Sequence, residues 1–594
     1  MPSSPPAAPS ADVPPTDLTG AYLPGLAALV AHDERALAAF AGRALDHVRK
    51  DALNHGVFAA ALLQALPPRR PLRVGITGMS PVTEPLIRGL TALPGVTACV
   101  VDEAYQTTAP TIFEVPFFST RAAAGACDSW IDPKVDLRND IVSRPDARTN
   151  EAPAVIDARA PEVAAAHARL IAAHRDQLSA ALGRHLGETG DRVVVFVAQK
   201  VQYNQLRFSR ALQRRGYKTV SVLFDPNFHE QQRGFFDDVI VTDLLSFLVW
   251  VNHAPAALLH TQGWLFRYHV PGLIQAFKAR GVAQICEMMD LNSFWFPPAG
   301  LEAQLPLLQK VWGDDCRDNH LTQCACERML FERADGVVFE GDEGHQRALG
   351  LGTEDPRYLN FPTYPLPEFF ADHTAGEAGP HKEPQDLRLV FAAGVIPTGG
   401  RHLPEIFADA QWHRTANQLL ALGCTVHVYN NPGHGAPATY PHKYPEHLAL
   451  ARRYARYRFE PGALPGAIAA RIADYDYGLM LYDFDGVIIG EEHFANMIPS
   501  KFFMFLEAGL PVLVSDRWRA VCDLVRAFDI GRAIAPDEQA RLPEVLATLN
   551  PRAHRQNVRR AREVLSVDRQ IRRLVALYER ARTHTEDVST ATLR

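Results

Sequence analysis

The spacing of apolar residues changes three times along the chain. From Leu18 to about Leu66, through "LAALVAHDERALAAFAGRAL" and "VFAAALLQAL", apolar side chains recur at helical spacing and predict two or three amphipathic helices. The stretch "LRVGITGMSPVTEPLIRGLTALPGVTACVVDE" (Leu72 to Glu103) breaks that period: an apolar strand, a small-residue turn, a helix, and a second strand ending in acid. After a polar stretch and an alanine-rich helix (Pro161 to Leu186), "RVVVFVAQKVQYNQLRFSRALQRRGYKTVSVLF" starts a cleaner series of strand, helix, stop at Gly216, and strand. "AALLHTQGWLFRYHVPGLIQAFKARGVAQICEMMDL" repeats the scheme. A third series opens at "LRLVFAAGVIP" and continues through "CTVHVYNNPG" and "YDYGLMLYD". Strands that alternate with helices in this way predict parallel sheets covered by helices on both faces.

This pattern sets the expected organisation. A tail (1–17) precedes an N-terminal helical and degenerate Rossmann-like domain (18–150). Two further α/β domains (151–370 and 387–583) are joined by the Gly- and Pro-containing linker 371–386, and a second tail covers 584–594. The length of 594 residues agrees, since it exceeds what one core can serve and fits roughly three or four domains. With 47% hydrophobic and 22% charged residues the composition is that of a globular protein. A net charge of -6 gives no overall basic surface, so nucleic acid is not an expected partner. Eight cysteines without regular spacing point to reduced thiols and a cytoplasmic setting. No apolar run approaches the ~20 residues that span a bilayer, and "MPSSPPAAPSADVPP" has neither the basic start nor the apolar stretch of a signal peptide.

Two places carry candidate chemistry. In the N-terminal domain Gly78 holds the first glycine position of a dinucleotide fingerprint and Asp102 lies where a ribose-binding acid is expected, but Ser80 and Thr83 replace the second and third glycines. A nucleotide site at Gly78 and Asp102 and a purely structural or partner-binding domain are both open readings. The second place is "NMIPSKFFMFLEAGLPVLVSD" (Asn496 to Asp516), where Lys501 starts an apolar helix against the sense of the helix dipole. An anion beside it would resolve that conflict. Ser500 as cap, the first-turn N–H groups and the Lys501 ammonium together suit a phosphate or diphosphate. Gly394, Gly399 and Gly400 in "GVIPTGGR" leave backbone amides to cradle phosphate, and Arg401 adds charge. On the other side of the expected interdomain cleft, His260 and Asp290 close predicted strands and are the candidate bases. Cys316, His320 and Cys324 share one helix face, yet an ordinary helix is the favoured reading, and neither metal nor cofactor is expected. The arginine-rich C-terminal helices read as a solvated face or as a peripheral contact with anionic lipid at the inner face of a membrane.

From about Arg192 to Arg582 these phrases, in this order, resemble the GT-B glycosyltransferases, especially their retaining family four. "PSKFFMFLEAGLPVLVSD" is similar to the family's "PNKLFEYMAAGLPVVVSD", "ADYDYGLMLYD" to its "ADVGLVPYD", and "AALLHTQG" to its "DVVHAHG". The resemblance implies two Rossmann-like domains in GT-B arrangement: 151–370 on the acceptor side and 387–583 binding the donor. It further implies transfer from a nucleotide sugar donor to a glycan, lipid-linked or protein acceptor. Lys501 falls on the family's diphosphate-binding lysine. The two acids of the family's E-x7-E motif are replaced by Asn496 and Met504. Glu507, three residues past Met504, is then the candidate ribose contact, with Glu492 and Asn496 towards the donor sugar. Where the family carries Arg and Lys in the glycine loop, this chain has Val395 and Gly400. A retaining front-face route needs no side-chain base, whereas an inverting route would use His260 or Asp290. The missing acids leave a second reading: a catalytically silent GT-B module that binds a glycan or a partner.

Overall fold

A computed structural model describes scattered stretches between residues 72 and 131, then 176–187 except 177, and 192–591 apart from short gaps; the longer gaps are 225–229, 313–315, 372–385, 398–402, 409–411 and 433–436. The tail 1–17, the expected helices up to Leu66 and Gly78 lie outside the described residues.

Three sheets follow one another along the chain. The first comprises β1 (Leu72–Thr77), β2 (Val96–Val101), β3 (Thr111–Ile112), β4 (Val115–Phe118) and β5 (Ser129–Ile131). Its order is β3-β4-β2-β1-β5, parallel except for the β3–β4 pair. The second sheet holds β6 (Val193–Ala198), β7 (Lys218–Leu223), β8 (Asp238–Val241), β9 (Ala257–Gly263), β10 (Val282–Met288), β11 (Gly336–Phe339) and β12 (Tyr358–Asn360). The third holds β13 (Arg388–Ala392), β14 (Thr425–Tyr429), β15 (Tyr457–Glu460), β16 (Tyr477–Met480), β17 (Val512–Ser515) and β18 (Gly531–Ile534).

The second and third sheets share one topology. Their orders, β8-β7-β6-β9-β10-β11-β12 and β15-β14-β13-β16-β17-β18, both start in the middle, step outward, then reverse, which is the doubly wound Rossmann order. Every pairing in both is parallel. Central strands such as "VVVFVA" in β6 and "VAQICEM" in β10 are buried on both faces, so their near-continuous apolar runs, rather than alternation, are what helices on two sides require. The protein is thus α/β, with two Rossmann-like domains in a GT-B arrangement and an additional smaller Rossmann-like sheet before them.

Seven helices position the site: α1 (Tyr203–Gln213), α2 (Asn292–Trp295), α3 (Cys316–Arg333), α4 (Glu491–Asn496), α5 (Ser500–Glu507), α6 (Pro551–Val564) and α7 (Val567–Ala591). Gly509, at φ +67, takes the left-handed conformation that ends the α5 turn before β17, which is why "AGLP" stops the helix there. Helix α7 crosses from the third sheet to the second: Tyr578 Oη meets His260 Nδ1 at 2.5 Å, and Arg582 donates to the Val193 carbonyl at 2.9 Å. It runs to Ala591, so the stretch expected as a tail from 584 continues the helix.

Candidate functional site

The carboxyl ends of β13 and β14 open into a cavity of about 230 Å³ that is closed on its far side by the second sheet's α1. Gly394 and Ile396 line it from the turn after β13, Asn430 and Asn431 from the turn after β14, and Ser500, Lys501 and Met504 from α5. Tyr203 and Arg207 of α1 complete the wall. In an open α/β sheet this is where ligands sit, beyond the strand ends and beside the reversal of strand order. The two turns are tied together by buried Asn430, whose Oδ1 accepts from Val395 N and Asn431 N, each at 2.8 Å. Rigid turns around the opening are therefore a product of side-chain bonding, not of glycine content alone.

Lys501 extends across aromatic rings. Its ammonium donates to the Tyr482 hydroxyl and lies 4.8 Å from the Tyr482 ring centroid and 5.8 Å from that of Phe391. Pro499 takes the N-cap position, no side chain caps the first turn of α5, and no acid stands in it. Ser500 is accordingly the first helical residue and not the cap expected from the sequence. The positive end of the helix and the ammonium converge on the cavity with no carboxylate among its described lining residues.

Glu507, at the other end of α5, has a different job from the ribose contact expected for it. It is 0% exposed, and both carboxylate oxygens are taken by Arg207, Nε to Oε1 at 2.8 Å and Nη2 to Oε2 at 2.6 Å. Oε1 also accepts from Leu366 N at 2.8 Å. This bidentate pair joins α1 of the second sheet to α5 of the third, and it orients Arg207 along the cavity wall. Asn496 is likewise part of the interdomain contact. Its carbonyl accepts from Asp342 N at 3.1 Å, and Ile498 N donates to the Glu340 carbonyl at 3.2 Å, a short strand-like bridge between the domains. A Cβ on Gly344 would fall 2.0 Å from Asn496 Oδ1, so only glycine lets Asn496 pack there. Glu492 is exposed on the first turn of α4 and accepts from Asn496 Nδ2 at 2.7 Å; among the described residues it is not part of the cavity wall.

Across the cleft, the carboxyl ends of β10 and β11 carry acids. Asp290, two residues past β10, receives Trp264 Nε1 at 2.7 Å, and its Oδ1 is 3.9 Å from His493 Nε2. Desolvation raises its pKa, while the indoles of Trp264 and Trp295 and the charge of Lys501 oppose that rise. Its side chain is 23% exposed, so it faces the cleft as expected. His260 does not. It sits in the middle of β9, fully buried between Tyr578, Phe196 and Phe208, and burial lowers its pKa to about 3. The sequence pattern marked His260 as a strand end because the apolar run appeared to stop there, whereas β9 continues through "TQG" to Gly263.

Two further acids escaped the sequence reading. Glu287 in β10 accepts from Asn204 Nδ2 and from Gln262 Nε2 at 3.2 Å, and Glu340 after β11 accepts from Thr363 Oγ1. Burial, aided by their mutual repulsion in the case of Glu287, pushes both pKa values up to about 8. Glu287 lies inside an apolar strand run and Glu340 directly after one, where the hydrophobic pattern marks the strand but not the role of the acid. Of the remaining expected residues, Gly394 is on the cavity, while Gly399, Gly400 and Arg401 lie outside the described residues. Asp102 follows β2, at the carboxyl edge of the first sheet, with its N–H on the Phe118 carbonyl at 3.1 Å. Cys324 Sγ and His320 Nε2 are 3.5 Å apart inside α3, and among the described residues no group of three or more ligand-type side chains is placed to hold a metal.

No protein-family model matches the chain, and no curated protein does either. Among solved structures it is similar to AviGT4, a glycosyltransferase involved in avilamycin A biosynthesis, at 16% identity over 66% of this chain and 98% of that one, with a TM-score of 0.40. It is also similar to the wall teichoic acid polymerase TagF, at 8% identity over 70% of this chain and 97% of that one, with a TM-score of 0.32.

Proposed function

We propose that this protein is a glycosyltransferase that takes a sugar from a nucleotide-activated donor, with the donor's diphosphate held at the start of α5. The observation that carries this reading is the cavity at the carboxyl ends of β13 and β14, to which α5 brings an uncapped helix start and Lys501 and from which carboxylates are absent among the described lining residues. Departure of a nucleoside diphosphate needs stabilisation of negative charge more than it needs a strong nucleophile. Lys501 and the first-turn amides supply that, with Arg401 and the glycines Gly399 and Gly400 assigned to the same loop. Asp290 faces the cleft opposite Lys501 and is the group in place to accept a proton from an acceptor hydroxyl, so an inverting route would run through it.

The 151–370 domain is assigned to the acceptor and 387–583 to the donor; the acceptor is a glycan, a lipid-linked precursor or a protein. A cytoplasmic setting fits the eight cysteines, none of which is in a disulfide. Among the described residues no helix is long and apolar enough to cross a membrane. Peripheral contact would fall to the exposed arginines Arg552, Arg560, Arg569 and Arg572, because Arg555 and Arg562 are buried on internal carbonyls and Arg573, though exposed, is held by the Asn360 carbonyl and the Tyr364 hydroxyl. A silent module is the competing reading, favoured by the engagement of Glu507 with Arg207, which leaves Met504 unreplaced. Thermal shift with uridine, guanosine, cytidine, adenosine and thymidine diphosphates separates the two, because a ligand bound only by the folded chain raises its melting temperature. A rise with at least one is expected of the transferase; no rise with any of them would overturn it.

A further inference from the structure

Trp264 stands out on the second sheet. It is the residue immediately after β9, at the carboxyl edge beside the reversal between β6 and β9, and at 38% it is one of few large apolar side chains exposed among the described residues. Its orientation is fixed from two sides. The preceding Gly263 is packed so closely on Tyr268 that a Cβ there would lie 2.2 Å from the ring, and the indole N–H is held on Asp290 Oδ2 at 2.7 Å. Asp290 in turn is backed by His493, whose ring packs edge-on against Trp295 at 5.1 Å. The result is a broad apolar ring with a carboxylate at its rim that is 23% exposed.

That combination matches one ligand class. A pyranose presents a face of C–H groups, which suits the electron-rich face of an indole, and a rim of hydroxyl donors, which suits a carboxylate acceptor. A lipid chain would use the ring and leave the carboxylate without a donor; a peptide brings donors but no flat face of C–H groups ringed by hydroxyls. A phosphate would be repelled by it. We infer that Trp264 and Asp290 form a subsite for a sugar ring, stacked on the indole with one hydroxyl on Asp290. This makes the acceptor a glycan, and among the cleft's described residues it makes Trp264 the one that selects for a ring. Its role as an acceptor subsite rests on the transferase reading; the binding itself does not.

Saturation-transfer NMR with the methyl glycosides of glucose, galactose, mannose and N-acetylglucosamine tests it on the full chain, with melting in nucleoside diphosphates followed in parallel. At least one pyranoside should bind the parent. Trp264→Ala should weaken that binding at least tenfold while leaving the nucleotide-dependent melting shift unchanged. Trp264→Phe, which keeps a ring but loses the bond to Asp290, should fall between. Absence of binding by every pyranoside, or equal affinity of parent and Trp264→Ala, overturns the subsite. Should the alanine variant not fold, the indole N–H resonance that disappears in Trp264→Phe decides: it must move when the pyranoside binds the parent, and a stationary resonance overturns the subsite. Pyranoside binding by a chain indifferent to all nucleotides would keep the subsite and remove the donor half of the transferase reading.

Discussion

The carboxyl edge of the third sheet and that of the second have the same strand order but place their polar groups differently. After β13 the chain runs through alanines into a glycine turn and after β14 into Asn430 and Asn431, and the charge comes from a helix start, Lys501. Around β9, β10 and β11 the charge lies in the strands or directly after them, as Glu287, Glu340 and Asp290, and two of the three are closed off from water. The first edge can admit an anion without displacing anything charged. At the second, burial favours the neutral form of Glu287 and Glu340, and only Asp290 reaches the cleft. Similar topology thus places a polar edge at the carboxyl ends of each sheet, while side-chain placement specifies the sign of its charge. The Arg207–Glu507 pair is the seam between the two edges.

Breaking that seam should have the largest effect. Glu507→Ala leaves a buried guanidinium uncompensated and should cost about 3–5 kcal/mol of stability, read by denaturant unfolding. Replacing both partners by methionine should recover most of that loss, since a buried pair is often replaceable by apolar groups. Equal losses in the single and double variants would show that the pair does not act as a unit.

Removing the cation sharpens the contrast in sign. Lys501→Ala should weaken nucleoside diphosphate binding by about 1.5–3 kcal/mol, the range for a hydrogen bond to a charged group, with an unchanged melting temperature in the absence of nucleotide. Calorimetric titration checks it. An unaltered affinity would take the diphosphate away from α5.

On the acidic edge the expected effect is smaller and depends on pH. The folded chain holds protons on Glu287 and Glu340 up to about pH 8, whereas the unfolded chain releases them near 4.5. The unfolded state therefore binds fewer protons between those values, and the stability these groups contribute is complete below about pH 4.5 and lost as the pH rises towards 8. Glu287→Gln should flatten that decline by about 1–2 kcal/mol, since an effective interior dielectric near 20 moderates burial penalties. Unfolding midpoints at about pH 5 and about pH 8.5 provide the measurement. Smallest of all, Arg552, Arg560, Arg569 and Arg572 exchanged together for glutamine should change stability by about 0.5 kcal/mol or less per site, being exposed. If the peripheral contact is real, the same variant should lose binding to phosphatidylserine-containing vesicles at low salt.

Much of the fold was legible in the sequence because doubly wound sheets write their strands as continuous apolar runs and their crossovers as amphipathic helices; "VVVFVA" and "LRLVFA" are strands in both readings. The start of α5 at Ser500 and its place on the cleft were legible for the same reason. Partners were not. Whether Glu507 pointed at a ribose or at Arg207 depends on a residue 300 positions away, which local spacing cannot register. His260 misled because a polar residue in an apolar strand looks like its end, and only the Tyr578 hydroxyl on a distant helix explains how the strand continues through it. The position of Asp290 just beyond a strand was legible because β10 does stop there, at Met288.

Helix α7 ties the order of synthesis to the order of folding. Tyr578 covers His260, and Leu577 packs so near Gly336 that a Cβ there would lie 3.0 Å away, so the second sheet is finished by residues made more than two hundred positions after its last strand. A ribosome carrying the chain up to β18 holds a sheet whose inner layer is still missing one wall. The second sheet's domain must wait, exposed, until the final helix emerges, and chains cut short before Val567 should be rescued poorly by supplying an intact third-sheet domain alone.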